Sequence, residues 1–138
     1  MVLIAVLSVF LTVMFTIAIF YGKFQDQIIA DLKSHAHILL YTQNFLEDVE
    51  RDYDPKIDNL RITVIDPDGN VEYDSNADIG AMDNHAGRPE VQEALRNGSG
   101  YVIRESDTLD KRTYYYAELL SDGRVLRVAK EADSIWEF

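Results

Sequence analysis

The chain opens with Val2 to Tyr21, VLIAVLSVFLTVMFTIAIFY, a run without one charged side chain that is closed at once by Gly22 and Lys23. As a helix rising ~1.5 Å per residue, this run measures about 30 Å, the hydrocarbon thickness of a bilayer. It is longer than the apolar core of a signal peptide, no Lys or Arg precedes it, and Ala18-Ile19-Phe20-Tyr21-Gly22 offers no small-x-small cleavage pattern. A domain of the size that remains seldom hides an all-apolar helix of this length. Residues 1–22 are therefore expected to form an uncleaved transmembrane helix, and the rest a domain tethered to the membrane.

All 24 acidic and 13 basic residues lie beyond Tyr21, so the net charge of -11 belongs to the tethered part. Such a domain repels nucleic acid and anionic headgroups, which points to small solutes, cations or proteins as partners and away from DNA and RNA. The chain has no cysteine, which excludes a disulfide framework and any thiolate metal site.

From Phe24 to about Arg51 there is no Gly or Pro, and Ile28, Leu32, His35, Leu39, Thr42, Leu46 and Val49 recur at spacings of four and three. Ile29, Ala36 and Leu40 add a second apolar row, giving a long helix over 23–54 that ends before Pro55. One row is available to pack on the helix's own domain and the other to meet a partner subunit. Leu32, His35, Leu39 and Leu46 are the candidates for a dimer and signalling face.

Past Pro55 the period changes to two. Leu60 to Ile65 reads as a strand, Asp66-Pro67-Asp68-Gly69 as a tight turn, and Val71 to Tyr73 as the returning strand. Asp74 to Gly87 is polar and loop-like. Arg88 to Asn97 has Pro89 in its first turn, an apolar set at Val91, Ala94 and Leu95, and Gly98 as a stop, so it reads as a short helix. Gly100 to Glu105, Thr113 to Leu120 and Arg124 to Lys130 alternate as three more strands. The order is long helix, two strands, short helix, three strands.

Val64-Ile65-Asp66 with Asp68-Gly69, Tyr73-Asp74-Ser75, Asn84-His85 with Arg88-Pro89-Glu90, Glu93-Ala94-Leu95, Gly98, Gly100 and the closing Val125-Leu126-Arg127-Val128-Ala129 resemble the Cache-like (PAS-like) extracytoplasmic sensor domain of bacterial sensor histidine kinases, especially the phosphate-regulon type of Gram-positive bacteria. The resemblance covers roughly residues 24 to 133. It implies an α+β fold: a transmembrane helix, then a long helix packed on a five-stranded antiparallel sheet with one short helix inserted. The sensor core would span 55–130, and 131–138 would begin a connector toward a second transmembrane helix. The function implied is the anchor and sensor region of a two-component histidine kinase, outside the cell membrane and dimeric, responding to a small solute, a wall-derived molecule or a protein. The same input domain could also feed a chemoreceptor or a cyclase, or stand alone as an anchored binding protein. ATP and magnesium would belong only to the kinase region, and no cofactor is implied within 1–138.

No catalytic constellation is present. His35 and His37 are two apart, about 200° around a helix, and cannot chelate one metal from one face; His35 is expected in the packing stripe and His37 in solvent. Asp74, Asn76 and Asp78 imitate a calcium loop, but Ile79 stands where the glycine belongs and His85 where the bidentate glutamate belongs. Gly98-Ser99-Gly100 lacks the residues that grip a phosphate. Candidates for ligand contact are Arg88, His85, Arg104 and Arg127 for their charge or titration, and Tyr114 with Tyr116 for their rings.

Overall fold

The computed structural model describes residues 1–41, 45–50, 59–105 and 111–133. Helix α1 runs without interruption over Val2–Tyr41, so the apolar segment and the first part of the long helix are one rod, about 60 Å long at ~1.5 Å per residue. Helix α2 (Phe45–Glu50) follows; Thr42 and the expected stop at Pro55 lie outside the described residues. Strands β1 (Arg61–Ile65) and β2 (Val71–Asp74) form the hairpin, a single 3-10 turn covers Ile79–Ala81, and α3 occupies Pro89–Asn97. Strands β3 (Ser99–Glu105), β4 (Lys111–Leu119) and β5 (Val125–Asp133) complete one sheet in the order β2-β1-β5-β4-β3, with every pair antiparallel. The last strand continues to Asp133, past Lys130 where its alternation was expected to end.

The pleat sorts side chains onto two faces. On one, Ile62, Val64, Tyr114, Tyr116, Leu126 and Val128 pack beneath Ile28, Leu32, Ala36 and Leu39 of α1, with Phe45 of α2 closing the end. On the other, Ile65, Ala117 and Val125 meet Val91 and Ala94 of α3. The helix stripe needs one correction: Ala36 is fully buried, while His35 is exposed and its Nδ1–H donates to the Asp31 carbonyl at 2.7 Å. A small Ala lets the helix backbone approach the sheet where an imidazole could not.

His37 is also not in open solvent. Its Nε2 lies 3.1 Å from Glu118 of β4. At the domain end of the apolar segment, Tyr21 stacks under the Arg112 guanidinium of the same strand, at 5.1 Å from ring centre to Cζ. The domain-side half of α1 thus runs alongside β4 and is tied to it at two points, Tyr21 and His37.

Helix α3 has Pro89 at its first position and Gly98, at φ 90°, as its left-handed stop. It sits close on the sheet because Gly100 of β3 has no side chain: a Cβ there would fall 2.6 Å from the Glu90 carbonyl. Leu95 is exposed, and the third buried residue of α3 is Glu90.

Candidate functional site

The α3-facing side of the sheet carries the charges. Arg61 and Thr63 of β1, Arg127 of β5, Tyr115 of β4 and Arg104 of β3 share that face by alternation, and the register sets Thr63 directly opposite Arg127. Glu90, fully buried, reaches down from α3: its Oε2 accepts from Arg104 at 2.6 Å and its Oε1 lies 3.3 Å from Nη1 of Arg127. Arg127 also donates to Thr63 Oγ1 at 3.2 Å, and that hydroxyl donates to Asp74 Oδ2 at 2.9 Å. Arg61 Nε meets the same Asp74 carboxylate at 3.0 and 3.1 Å. The Tyr115 ring lies against two guanidinium groups, 4.5 Å from Arg104 and 5.2 Å from Arg127. Burial lowers the Arg127 pKa from its ordinary value, with the Glu90 carboxylate opposing that effect.

The loop before α3 is fixed from below by the hairpin turn. Asp66 Oδ1 accepts from the Asp68 and Asn70 amides at 2.9 and 2.8 Å, and Asn70 Nδ2 donates to Oδ2 at 2.9 Å. These bonds, the Asn70 side chain foremost, hold the Asp66 carboxyl below its usual 3.8. The turn bends through Gly69 at φ 90°, whose carbonyl accepts the His85 amide at 2.7 Å, while Asn84 Nδ2 reaches the Asp68 carbonyl at 2.9 Å. His85 is buried, and its Nδ1 sits 2.7 Å from the Asp83 carbonyl; a carbonyl only accepts, so Nδ1 carries the proton. Burial lowers the His85 pKa from 6.5, and the positive charges of Arg127, Arg88 and Arg61 push the same way against the Asp83 hydrogen bond.

The six ligand candidates therefore divide. Arg104 and Arg127 meet on the α3 face, while His85 is buried in the loop that precedes α3. Arg88 stands exposed at the N-cap of α3 with no capping side-chain bond. Tyr114 and Tyr116 are on the opposite face, in the core beneath α1, at 2% and 5% exposure; the tyrosine that joins the arginines is Tyr115. Of the helix candidates, Leu32 and Leu39 are used by the chain's own core, Leu46 is half-buried against it, and His35 is exposed. Among the described residues no group of three His, Asp or Glu side chains is placed to hold a metal ion.

Glu90, Tyr115, Thr63 and Asp74 escaped the sequence reading. Tyr115 was open to it, since the residue that alternates with two core tyrosines must share the arginines' face. Glu90 was marked only by its place beside Val91 and four residues' spacing from Ala94, on the packed side of α3.

A family profile described as Single Cache-like matches residues 30–126, most of the chain and all of the sheet up to the start of β5. The chain belongs to the single Cache-like family. Among solved structures it is similar to one described as "Crystal Structure of the extracellular domain of the putative histidine kinase rpHK1S-Z16", at 21% identity and a TM-score of 0.46. That match covers 68% of this chain and 39% of the other. No curated protein matches. In this Cache-like domain the charged cluster occupies the sheet face away from the long helix, between the sheet and α3.

Proposed function

We propose that the chain is the membrane anchor and extracytoplasmic sensor region of a two-component histidine kinase, of the phosphate-regulon type that the sequence motifs suggest. The observation that carries this reading is the continuity of α1. Its residues 2–20 are all exposed, whereas Ile28, Leu32, Ala36 and Leu39 on the same rod are buried in the Cache-like core. Leaving so many large apolar side chains in water is unfavourable by roughly 1.5–3 kcal/mol each, and a bilayer removes that penalty. The two threonines in the segment return their hydroxyls to the backbone one turn earlier, Thr12 to Ser8 and Thr16 to Thr12, both at 2.8 Å, so neither needs water.

In this reading a small solute, a wall-derived molecule or a protein favours one of two arrangements of a dimer, and α1 carries the difference into the membrane. ATP and magnesium belong to the kinase region. The register of β4 with β5 supports a return to the membrane, since Ala132 lies opposite Arg112, which stacks on Tyr21 at the domain end of the apolar segment.

Sequencing the coding region beyond the Phe138 codon tests the kinase reading. A second apolar span, a histidine-bearing helix and an ATP-binding region are expected. A stop codon or another output domain overturns it and leaves an anchored binding module, chemoreceptor or cyclase input. In a signalling strain, Leu39→Pro should abolish the response while the protein remains in the membrane, and a normal response would remove α1 from the signalling path.

A further inference from the structure

The α3 face sets three guanidinium groups, of Arg61, Arg104 and Arg127, against two carboxylates, of Asp74 and Glu90. Asp74 is held by Arg61 and Thr63, so among the described residues Glu90 alone serves both remaining arginines. It serves them unequally, with a 2.6 Å contact to Arg104 and a 3.3 Å contact to Arg127. Arg127 is only 3% exposed, yet its Nε–H is buried without a hydrogen-bond partner among the described residues. A carboxylate or phosphate meeting an arginine side-on takes Nε–H together with a terminal N–H, a fork that Glu90, tethered to α3, does not complete. An orphaned donor on a buried cation is unfavourable to leave unmade. Arg104, whose side chain is 30% exposed, connects the cluster to solvent, and the Tyr115 ring forms a common apolar wall beneath both guanidiniums.

We propose that this cluster is a binding site for a small oxyanion, a carboxylate or a phosphate, and that Glu90 is its built-in competitor. The incoming anion takes the place of the Glu90 carboxylate on Arg127 and Arg104, satisfies the free Nε–H, and releases the first turn of α3. Val91 and Ala94 keep the rest of α3 on the sheet, so the release is local. Only the signalling consequence rests on the sensor reading; the binding equilibrium stands without it.

The test uses the 138-residue chain in detergent micelles, titrated with sodium acetate or sodium phosphate against sodium chloride at equal ionic strength. Glu90→Ala should lower the thermal midpoint, and acetate or phosphate, but not chloride, should restore it saturably. With the competitor gone, the half-effect concentration should be at least about tenfold lower than in the wild type. In the wild-type chain the Arg127 Nε–H resonance should move saturably with the same anion. Should Glu90→Ala not fold, the shape-preserving Glu90→Gln and the wild-type resonance decide. Which anion acts distinguishes a planar from a tetrahedral ligand. A Glu90 variant indifferent to both anions, equal half-effect concentrations in variant and wild type, or an Nε–H that stays unmoved at anion concentrations that raise the wild-type thermal midpoint would overturn the site. Loss of the kinase reading by sequencing would leave these outcomes unaffected.

Discussion

His85 and Gly69 show how much a single position decides here. The His85 ring is favoured in its neutral form, its pKa lowered below 6.5 by burial and by the facing Arg127, Arg88 and Arg61. Above pH 6.5 neither the folded nor the unfolded chain holds the extra proton, so the folded state has its full stability. As the pH falls through 6.5 the unfolded chain takes up a proton that the folded one refuses, and stability declines until the folded ring also titrates. Thermal midpoints recorded from about pH 7.5 to 5 should therefore fall more steeply for the wild type than for His85→Gln. Parallel profiles would mean that the burial of His85 has no energetic consequence. At Gly69, a Cβ would fall 2.5 Å from the Ala86 Cβ and require an L-residue at φ 90°. Gly69→Ala should lower stability by about 1–3 kcal/mol, measurable by urea unfolding, and loosen the loop that carries His85.

At the level of elements, α1 and the hairpin illustrate what periodicity reveals. The Asp66-Pro67-Asp68-Gly69 turn and α3 with its Pro start and Gly stop were legible because the signals are local: a side chain bonding its own backbone two residues on, and a residue able to adopt positive φ. The sheet followed from alternation. His35 departs from the packing stripe expected of it because four-three spacing fits two adjacent rows equally well, and only the closeness of the sheet selects the row with the smaller Ala36. The charged cluster was invisible for another reason: Glu90 finds its partners 14 and 37 residues away, and nothing in a local pattern marks a carboxylate as buried. Leu32, at 1% exposure under α1, is the natural probe of this layer. Leu32→Ala should destabilise by roughly 2–5 kcal/mol, a fall of several degrees or more in thermal midpoint. A near-neutral Leu32→Ala would mean that α1 is not seated on the sheet as described.

For the whole molecule, the apolar end of α1 and the acidic domain call for opposite surroundings. The protein should stay with membranes after alkaline carbonate extraction, and truncation before Phe24 should release it. Because the chain has no native cysteine, Ser121→Cys in the exposed β4–β5 turn gives a single reporter. A membrane-impermeant maleimide should label it in intact cells, and labelling only after lysis would reverse the proposed orientation.

The two ties between α1 and β4 bear on what such a rod can transmit. Tyr21 rests under Arg112 and His37 against Glu118, with the core residues of α1 gripping the sheet between them. A helix free along one flank could ratchet past its support by a turn, about 5.4 Å. One splinted at two points would have to break both contacts to do so. In the proposed signalling, sheet and helix would then move as a single lever, passing to the bilayer a tilt or rotation of the whole domain rather than a stroke of the helix within it.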